Sequence, residues 1–210
     1  MEIIEYTKIP NIFKRETFGK NKLIDGEYSL LELEYLKDNL WEFTEKVDGT
    51  NIRIVWDGYR VSFLGRTDKA DIPKHLMAKL EELFGGESKE EIFEQTFGKK
   101  EVILFGEGFG EKIQKGGGLY GPVNFILFDV CIGGYWLDRK AVDDIASKFG
   151  IDRVPPIFIG NLESGVNFIK THPKSRLRDA EMEGIVGRPL VQMFSRTGER
   201  IMVKIKCRDF

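Results

Sequence analysis

Ile52, Ile54 and Trp56 alternate with polar positions, Asp57-Gly58 interrupts them, and Val61 and Phe63 resume the alternation. A period of two puts one set of side chains on one face of an extended strand. Asp-Gly is a tight-turn pair, because glycine adopts positive φ without strain. The segment predicts a β-hairpin. An antiparallel pair with one apolar face must be covered, so the rest of the chain has to supply further strands and helices.

Those elements are legible. Asp71-Ile72-Pro73 opens a helix carrying Leu76, Leu80 and Leu83, with Gly85 just past its end. Ser88-Lys89-Glu90-Glu91 reads as a capping-box start for a second helix. Val102 to Phe105 and Phe125 to Cys131 are short apolar runs, read as buried strands. Asp138 starts a helix through Phe149, closed by Gly150. Asn161 or Ser164 caps a further helix ending near Thr171. The tail predicts a hairpin, with strands from Gly184 to Arg188, Val191 to Phe194 and Ile201 to Ile205, turning at Thr197-Gly198. The sum is an α+β fold: two mainly antiparallel sheets around a groove, with flanking helices.

At 210 residues the chain is read as one domain, 1–210, and its sixteen Phe predict an aromatic core. The net charge of −2 rules out global attraction to nucleic acid, so any such binding needs a local basic face. Cys131 and Cys207 lie in apolar runs and read as buried thiols of a reducing compartment. His75 and His172 have no Cys or His at ligand spacing, which argues against zinc. The N-terminus has no signal-type apolar segment, and no run approaches membrane-spanning length. The chain is read as cytoplasmic, with no membrane partner.

One heptad carries chemistry. Glu45-Lys46-Val47-Asp48-Gly49-Thr50-Asn51 sits where one apolar run ends and the next begins. A lysine between strands, beside a carboxylate and a glycine, is placed as a covalent nucleophile would be. A free lysine has a pKa of about 10.4, so a nucleophilic one needs burial or nearby cations. Lys204 and Lys206 alternate on the last strand and point to one face, where they could do this or hold phosphates. Asp48, Glu107 and Glu183 each adjoin a glycine at strand-like boundaries. Acidic groups together with phosphate suggest a divalent cation, magnesium first.

Lys46-Val47-Asp48-Gly49 resembles motif I (KxDG) of the covalent nucleotidyltransferases, the ATP-dependent ligases and mRNA capping enzymes. Phe105-Gly106-Glu107 looks like motif III, and Phe125 to Val130 like motif IIIa. Glu183-Gly184-Ile185-Val186 looks like motif IV, and Val203-Lys204-Ile205-Lys206 like motif V. All five occur in the family's order. Asn51, two residues past the motif I glycine, follows the RNA-ligase pattern, most similar to phage and bacterial nick-sealing enzymes.

The resemblance implies the adenylation domain of an ATP-dependent RNA ligase with an RNA-repair role. Lys46 would take AMP from ATP, pass it to an RNA 5′-phosphate, and a 3′-hydroxyl would expel it. Lys46, Asp48, Asn51, Arg66, Glu183, Lys204 and Lys206 would be catalytic. Glu45, Lys46, Asn51, Glu107, Phe128, Lys204 and Lys206 would hold the nucleotide: Glu107 at the ribose, Phe128 stacked on adenine, the two motif V lysines at the α-phosphate, and the Glu45 region at the adenine edge. Glu183 would also help bind Mg2+ or Mn2+. RNA as a nicked duplex or paired ends is the implied partner, with ATP and end-processing proteins. The alternatives are a DNA ligase or capping-type enzyme, or an inactive nucleotide- or RNA-binding module.

Some features stay open at this stage. Asp129 reads as structural, bonding backbone amides. Lys115-Gly116-Gly117-Gly118 lacks the ending of a phosphate-cradling P-loop and reads as a flexible loop. The Lys174, Arg176, Arg178 cluster and the Lys14, Arg15, Lys20, Lys22 set divide between solvated loops and RNA contacts. No OB-fold or helical domain is expected after motif V, which makes the chain look like a bare catalytic domain.

Overall fold

The computed structural model describes residues 3–210. Its contacts divide the chain into two compact units. One is Thr7–Val47 with Pro155–Phe210; the other is Asp48–Val154 with the N-terminal residues through Tyr6. The boundary falls inside the motif I heptad, between Val47 and Asp48.

In chain order the elements are β1 (Phe13–Arg15), β2 (Leu23–Tyr28), α1 (Leu31–Tyr35), β3 (Trp41–Glu45), β4 (Thr50–Trp56) and β5 (Val61–Leu64). Then come α2 (Lys74–Phe84), α3 (Glu87–Phe97), β6 (Val102–Phe109), β7 (Asn124–Ile132), β8 (Tyr135–Trp136) and α4 (Arg139–Phe149). The last are β9 (Pro156–Gly160), α5 (Leu162–Lys170), β10 (Gly184–Pro189) and β11 (Val203–Lys206).

The central unit carries a five-stranded antiparallel sheet in the order β5-β4-β6-β7-β8. The expected hairpin is β4–β5, and the Asp57 carboxylate closes it by accepting from the Tyr59 and Arg60 amides at 2.8 Å each. Gly58 between them has φ +98°. On one face, Ile52, Ile54, Trp56, Val102, Leu104, Leu127 and Val130 pack under α2, α3 and α4. The phenylalanines concentrate there: the Phe93 ring lies 5.5 Å from Trp56 and 4.4 Å from Phe149. The opposite face presents Asn51, Arg53 and Val55 from β4 and Ile103, Phe105 and Glu107 from β6, because side chains alternate.

The other unit carries a four-stranded antiparallel sheet, β11-β10-β3-β9, and the small ribbon β1-β2. Helix α5 covers it, with Leu162, Val166 and Ile169 against Trp41, Phe43, Ile185, Val203 and Ile205. Gly165 lets that helix close on the sheet, since an added Cβ would stand 2.8 Å from the Phe43 ring.

Several boundaries follow the chemistry read from sequence. Asp138 caps α4 by accepting from the Ala141 amide, and Gly150 ends it in the left-handed region at φ +63°. Asn161, rather than Ser164, caps α5. Others differ. Helix α3 begins at Glu87 on Gly86, with no side-chain cap, so Ser88 lies inside the first turn instead of capping it. In the tail, β10 pairs directly with β11. The Thr197-Gly198 turn forms, but the expected strand from Val191 to Phe194 is reduced to a single bridge, Phe194 to Arg200. Of that segment only Met193 packs against the core, while Val191 is 71% and Phe194 51% exposed. Cys131 lies on β7, whereas Cys207 sits in a 3-10 turn just past β11; both are buried and free. No helix among the described residues is long and apolar enough to cross a membrane.

Candidate active site

Lys46 is the first residue past β3, and the strand pairing aims it. Glu45 pairs with Ile185, and the Lys46 amide donates to Gly184 O at 2.9 Å. Glu183 immediately precedes β10, held by the Cys207 amide donating to its carbonyl. Gly184 must be glycine there, because a Cβ would stand 2.2 Å from Ile205 O. Motif I and motif IV thus meet on adjacent strands.

Their side chains close a short ionic relay. Lys46 Nζ donates to Glu183 Oε2 at 2.5 Å, and Lys206 Nζ donates to Glu183 Oε1 at 2.7 Å. All three side chains are mostly buried, at 24%, 16% and 14% exposure respectively. Burial pushes the Glu183 pKa up, but the Lys46 charge and the hydrogen bonds from Lys206 and Lys46 outweigh it, so the carboxyl sits below its ordinary range. Lys206 pairs with Gly184 and Lys204 with Val186, so both lysines leave β11 on one face while Val203 and Ile205 enter the core on the other.

Glu45 has a structural occupation. Its buried carboxylate accepts from the Ser175 hydroxyl and, at 2.8 Å, from the Arg176 amide. That anchors the loop between α5 and β10. The cations of this loop are themselves engaged. Arg176 donates to Pro156 O, Arg178 to Glu181 O, and Lys174 faces Asp179.

The central unit holds the remaining candidates. The Asp48 amide donates to the Tyr120 hydroxyl at 3.1 Å, and Gln114 donates to Gly49 O. Tyr120 closes a 3-10 turn, Gly117–Tyr120, in the stretch read as a flexible loop. Gly117 lies so close to Gly110 that a Cβ would stand 2.0 Å from its carbonyl oxygen. The motif I glycine has the same kind of reason: a Cβ on Gly49 would stand 2.3 Å from Gly108 O.

Asn51 and Glu107 are register partners across β4 and β6, both half-buried on the sheet face away from the helices. Asn51 Oδ1 is buried with no hydrogen-bond partner among the described residues. A buried acceptor left open in this way is a position a ligand donor can fill. Phe105 pairs with Asp129 and Gly106 with Leu127, which leaves Phe128 as the extra residue of a β-bulge. The bulge turns Phe128 toward this face, where it packs with Tyr6, Phe105 and Trp136. Its ring centroid is 4.8 Å from that of Tyr6, edge to face. Tyr6 in turn donates to Asp129 Oδ2 at 2.8 Å, which ties the Asp129 carboxylate to the N-terminal segment.

Arg53 escaped the sequence reading. It lies one strand period past Asn51, wholly buried, and donates from Nε to Gly65 O at 2.9 Å and from Nη2 to Asp68 Oδ1 at 2.8 Å. Between those anchors stands Arg66, exposed. No sequence signal marked it, because Arg53 occupies a polar position of the alternation, where a solvent-facing arginine is the ordinary reading.

A divalent cation fits Glu183 only in part. Both its oxygens already accept from lysines, and no three His, Cys, Asp or Glu side chains are grouped to hold an ion among the described residues. A hard cation here needs oxygen ligands from elsewhere, such as phosphates and water.

A family model described as RNA ligase matches residues 39–206, from β3 through the end of β11. The chain belongs to the RNA ligase family. Among solved structures it is similar to a Naegleria gruberi RNA ligase mutant with ATP and Mn, at TM-score 0.69 and 17% identity, over 98% of this chain and 56% of that one. A second mutant of that ligase, with AMP and Mn, matches at TM-score 0.64 and 18% identity, over 97% and 61%. A third, in its apo form, matches at TM-score 0.63 and 18% identity, over 83% and 51%. At these identities the likeness shows the fold. This RNA ligase family chain spans only 51 to 61% of those three structures. Among curated proteins no sequence matches.

Proposed function

We propose that this chain is an ATP-dependent RNA ligase that joins RNA 3′-hydroxyl and 5′-phosphate ends through a lysyl-AMP intermediate. The observation that carries the reading is the Lys46–Glu183–Lys206 relay. Glu183 Oε2 accepts from Lys46 Nζ and so positions the nitrogen that would attack phosphorus. Lys206 and Lys204 supply positive charge on the same strand for the phosphate that Lys46 would attack.

In the first step Lys46 Nζ forms a bond to the α-phosphorus of ATP, and the bond to the bridging oxygen breaks to release pyrophosphate. AMP then passes to an RNA 5′-phosphate oxygen, breaking the N–P bond. The RNA 3′-hydroxyl finally attacks the phosphorus of the RNA 5′-phosphate, forming the phosphodiester, and the bond from that phosphorus to the AMP oxygen breaks to release AMP. Glu107 and Asn51 would meet the adenylate through polar groups, Phe128 through its ring, and Arg66 the phosphates of the later steps. Asp48 completes the motif I set, and Glu45 serves by fixing the loop beside the relay. Mg2+ or Mn2+ would arrive on the nucleotide phosphates and neutralise their charge, with Glu183 as its one protein ligand of motif IV. The solved Naegleria gruberi relatives carrying ATP or AMP with Mn support this choice.

RNA with its ends already paired is the favoured substrate, because a chain of net charge −2 offers no global attraction to hold a free strand. Proteins that process ends to 3′-hydroxyl and 5′-phosphate would act before it. Two free, buried thiols support a cytoplasmic setting.

Intact-mass measurement after ATP and magnesium tests the reading. The protein should gain one AMP, and Lys46→Ala should gain none. AMP retained by that variant would remove Lys46 from its role. GTP and NAD in parallel, then nicked and single-stranded RNA and DNA, identify the nucleotide and the substrate.

A further inference from the structure

Phe18 stands apart from the other phenylalanines. It is 90% exposed, whereas Phe194 is 51% exposed and every other Phe is buried or partly buried. Lys14, Arg15, Lys20 and Lys22 stand around it in sequence, against one acid, Glu16. None of the five motifs assigns this segment. We propose, building on the ligase reading, that the loop between β1 and β2 is an RNA grip: Phe18 stacks on an unpaired base near the strand break, and Lys20 and Lys22 hold the adjoining phosphates.

The loop is braced at its base. Phe13 on β1 anchors the ribbon, its ring centroid 5.4 Å from that of Tyr28 and 6.4 Å from that of Phe210. The Glu16 amide donates to Lys22 O at 2.9 Å and closes the loop. Arg15 donates from Nη1 to Asn21 O at 2.9 Å, and from Nη2 to both carboxylate oxygens of Asp209 at 2.8 and 2.7 Å. Gly19 and Asn21 make the turns in the left-handed region, at φ +92° and +53°. Arg15 is therefore committed to holding the loop, and Lys14 faces Glu27 at 3.6 Å. Lys20 and Lys22 are exposed, and neither has an ion-pair partner among the described residues.

Ring and cations together select the occupant. An exposed aromatic side chain offers a face on which any base can stack, and neighbouring lysines track the phosphates. An apolar protein partner needs further apolar contacts around the ring to exclude water. Thr17, Gly19, Lys20 and Asn21 offer none. Within a continuous duplex each base has both faces covered by its neighbours, so the ring acts on a base outside the stack.

Placement sets the loop beside the chemistry. Lys20 and Asn21 share a cavity wall with Lys204 and Lys206. Lys206 donates to Glu183, which also accepts from Lys46. Loop, motif V lysines and nucleophile belong to one unit. A strand whose end reaches Lys46 has this loop at hand for its next nucleotides. RNA broken in an unpaired stretch that a helix closes suits the arrangement. The helix keeps the two ends together, and a base stays free for Phe18.

The test uses the full chain and two RNAs, one broken in an unpaired stretch closed by a helix, the other a nick in continuous duplex. Fluorescence anisotropy compares wild type with Phe18→Ala, Phe18→Leu, Phe18→Trp and Lys22→Ala. Tyr35→Ala, which removes an aromatic ring 88% exposed on α1, is the control. On the unpaired RNA, Phe18→Ala and Phe18→Leu should bind about tenfold more weakly, while Phe18→Trp and the control match wild type. On the continuous nick the Phe18 variants should all match wild type. Lys22→Ala should flatten the slope of log affinity against log salt by about 0.7 on the unpaired RNA. 2-Aminopurine beside the break should be quenched by wild type and not by Phe18→Ala. Self-adenylylation should stay unchanged in the Phe18 variants, which also reports that they fold. Equal binding by wild type and Phe18→Ala, or full binding by Phe18→Leu, would overturn the grip and leave the ligase reading standing. An equal loss on both RNAs would overturn it too, because no base in the continuous nick is free to stack. Binding that follows the variants in a protein that forms no lysyl-AMP would keep the grip and reject the ligase reading.

Discussion

Lys46 and Glu183 lie 137 residues apart in sequence and 2.5 Å apart in space, joined by an ammonium-to-carboxylate hydrogen bond. Pairing of β3 with β10 makes that contact, and Lys206 on β11 completes it from the other carboxylate oxygen.

Glu183→Gln keeps the shape of this contact and removes its charge. If Glu183 positions Lys46 Nζ for attack, lysyl-AMP formation slows by about 10²-fold, the scale of a misplaced reacting group. Stability gives a second readout. The Glu183 pKa is lowered from 4.5 in the fold, so its ionised form stabilises the protein fully above pH 4.5 and ever less as pH falls through the lowered value. Urea unfolding of wild type against Glu183→Gln should show a gap at pH 7 that closes in acid. A gap that persists below the folded pKa would mean the glutamate acts through packing instead.

Lys204→Ala and Lys206→Ala should each cut self-adenylylation by about 10²–10³-fold, as loss of one preorganised donor does elsewhere. Arginine at either position keeps the charge but not the compact geometry, and should recover only part of the rate. Quench-flow labelling with ATP measures both. Normal labelling in the two alanine variants would place these side chains outside the reaction.

Asn51→Ala and Arg66→Ala should separate the steps. Both variants accept AMP on Lys46, and both seal nicked RNA poorly. The basis for Asn51 is its open buried acceptor opposite Glu107; for Arg66 it is the exposed tip that Arg53 holds. Complete loss of lysyl-AMP in either variant would reassign that residue to the first step.

Arg53→Leu deprives the buried Gly65 carbonyl of its donor, a cost of about 1–3 kcal/mol in unfolding free energy. Because Arg53 frames Arg66, this variant should copy the Arg66→Ala phenotype: AMP accepted, sealing impaired. Equal loss of both activities in folded protein would show a general disturbance of the sheet face.

The sequence by itself determined the local devices. Alternation in β4 and β5, the Asp57-Gly58 turn, the Asp138 cap and the Gly150 stop all depend on residues within a few positions of each other, so their chemistry is readable in one dimension. The spaced motifs likewise marked which lysines, glutamates and aromatic rings to watch. What only the tertiary structure decided depends on partners distant in the chain. Short elements such as β1, α1 and β9 carry too few residues to show a period, and pairing with β2, β3 and other neighbours makes them. The bulge that turns out Phe128 comes from one extra residue against β6, which β7 alone does not reveal. Arg53 reads as an ordinary outward-facing polar position of an alternating strand until Gly65 and Asp68 are brought to it. Arg15 and Lys20 read equally as a solvated loop or an RNA contact until the pairing of residues 10–12 with β11 sets them beside Lys204, Lys206 and Arg208. Charge and hydrogen-bonding capacity are written in residue type, but the partner that gives each group its function is chosen by strand pairing across the fold.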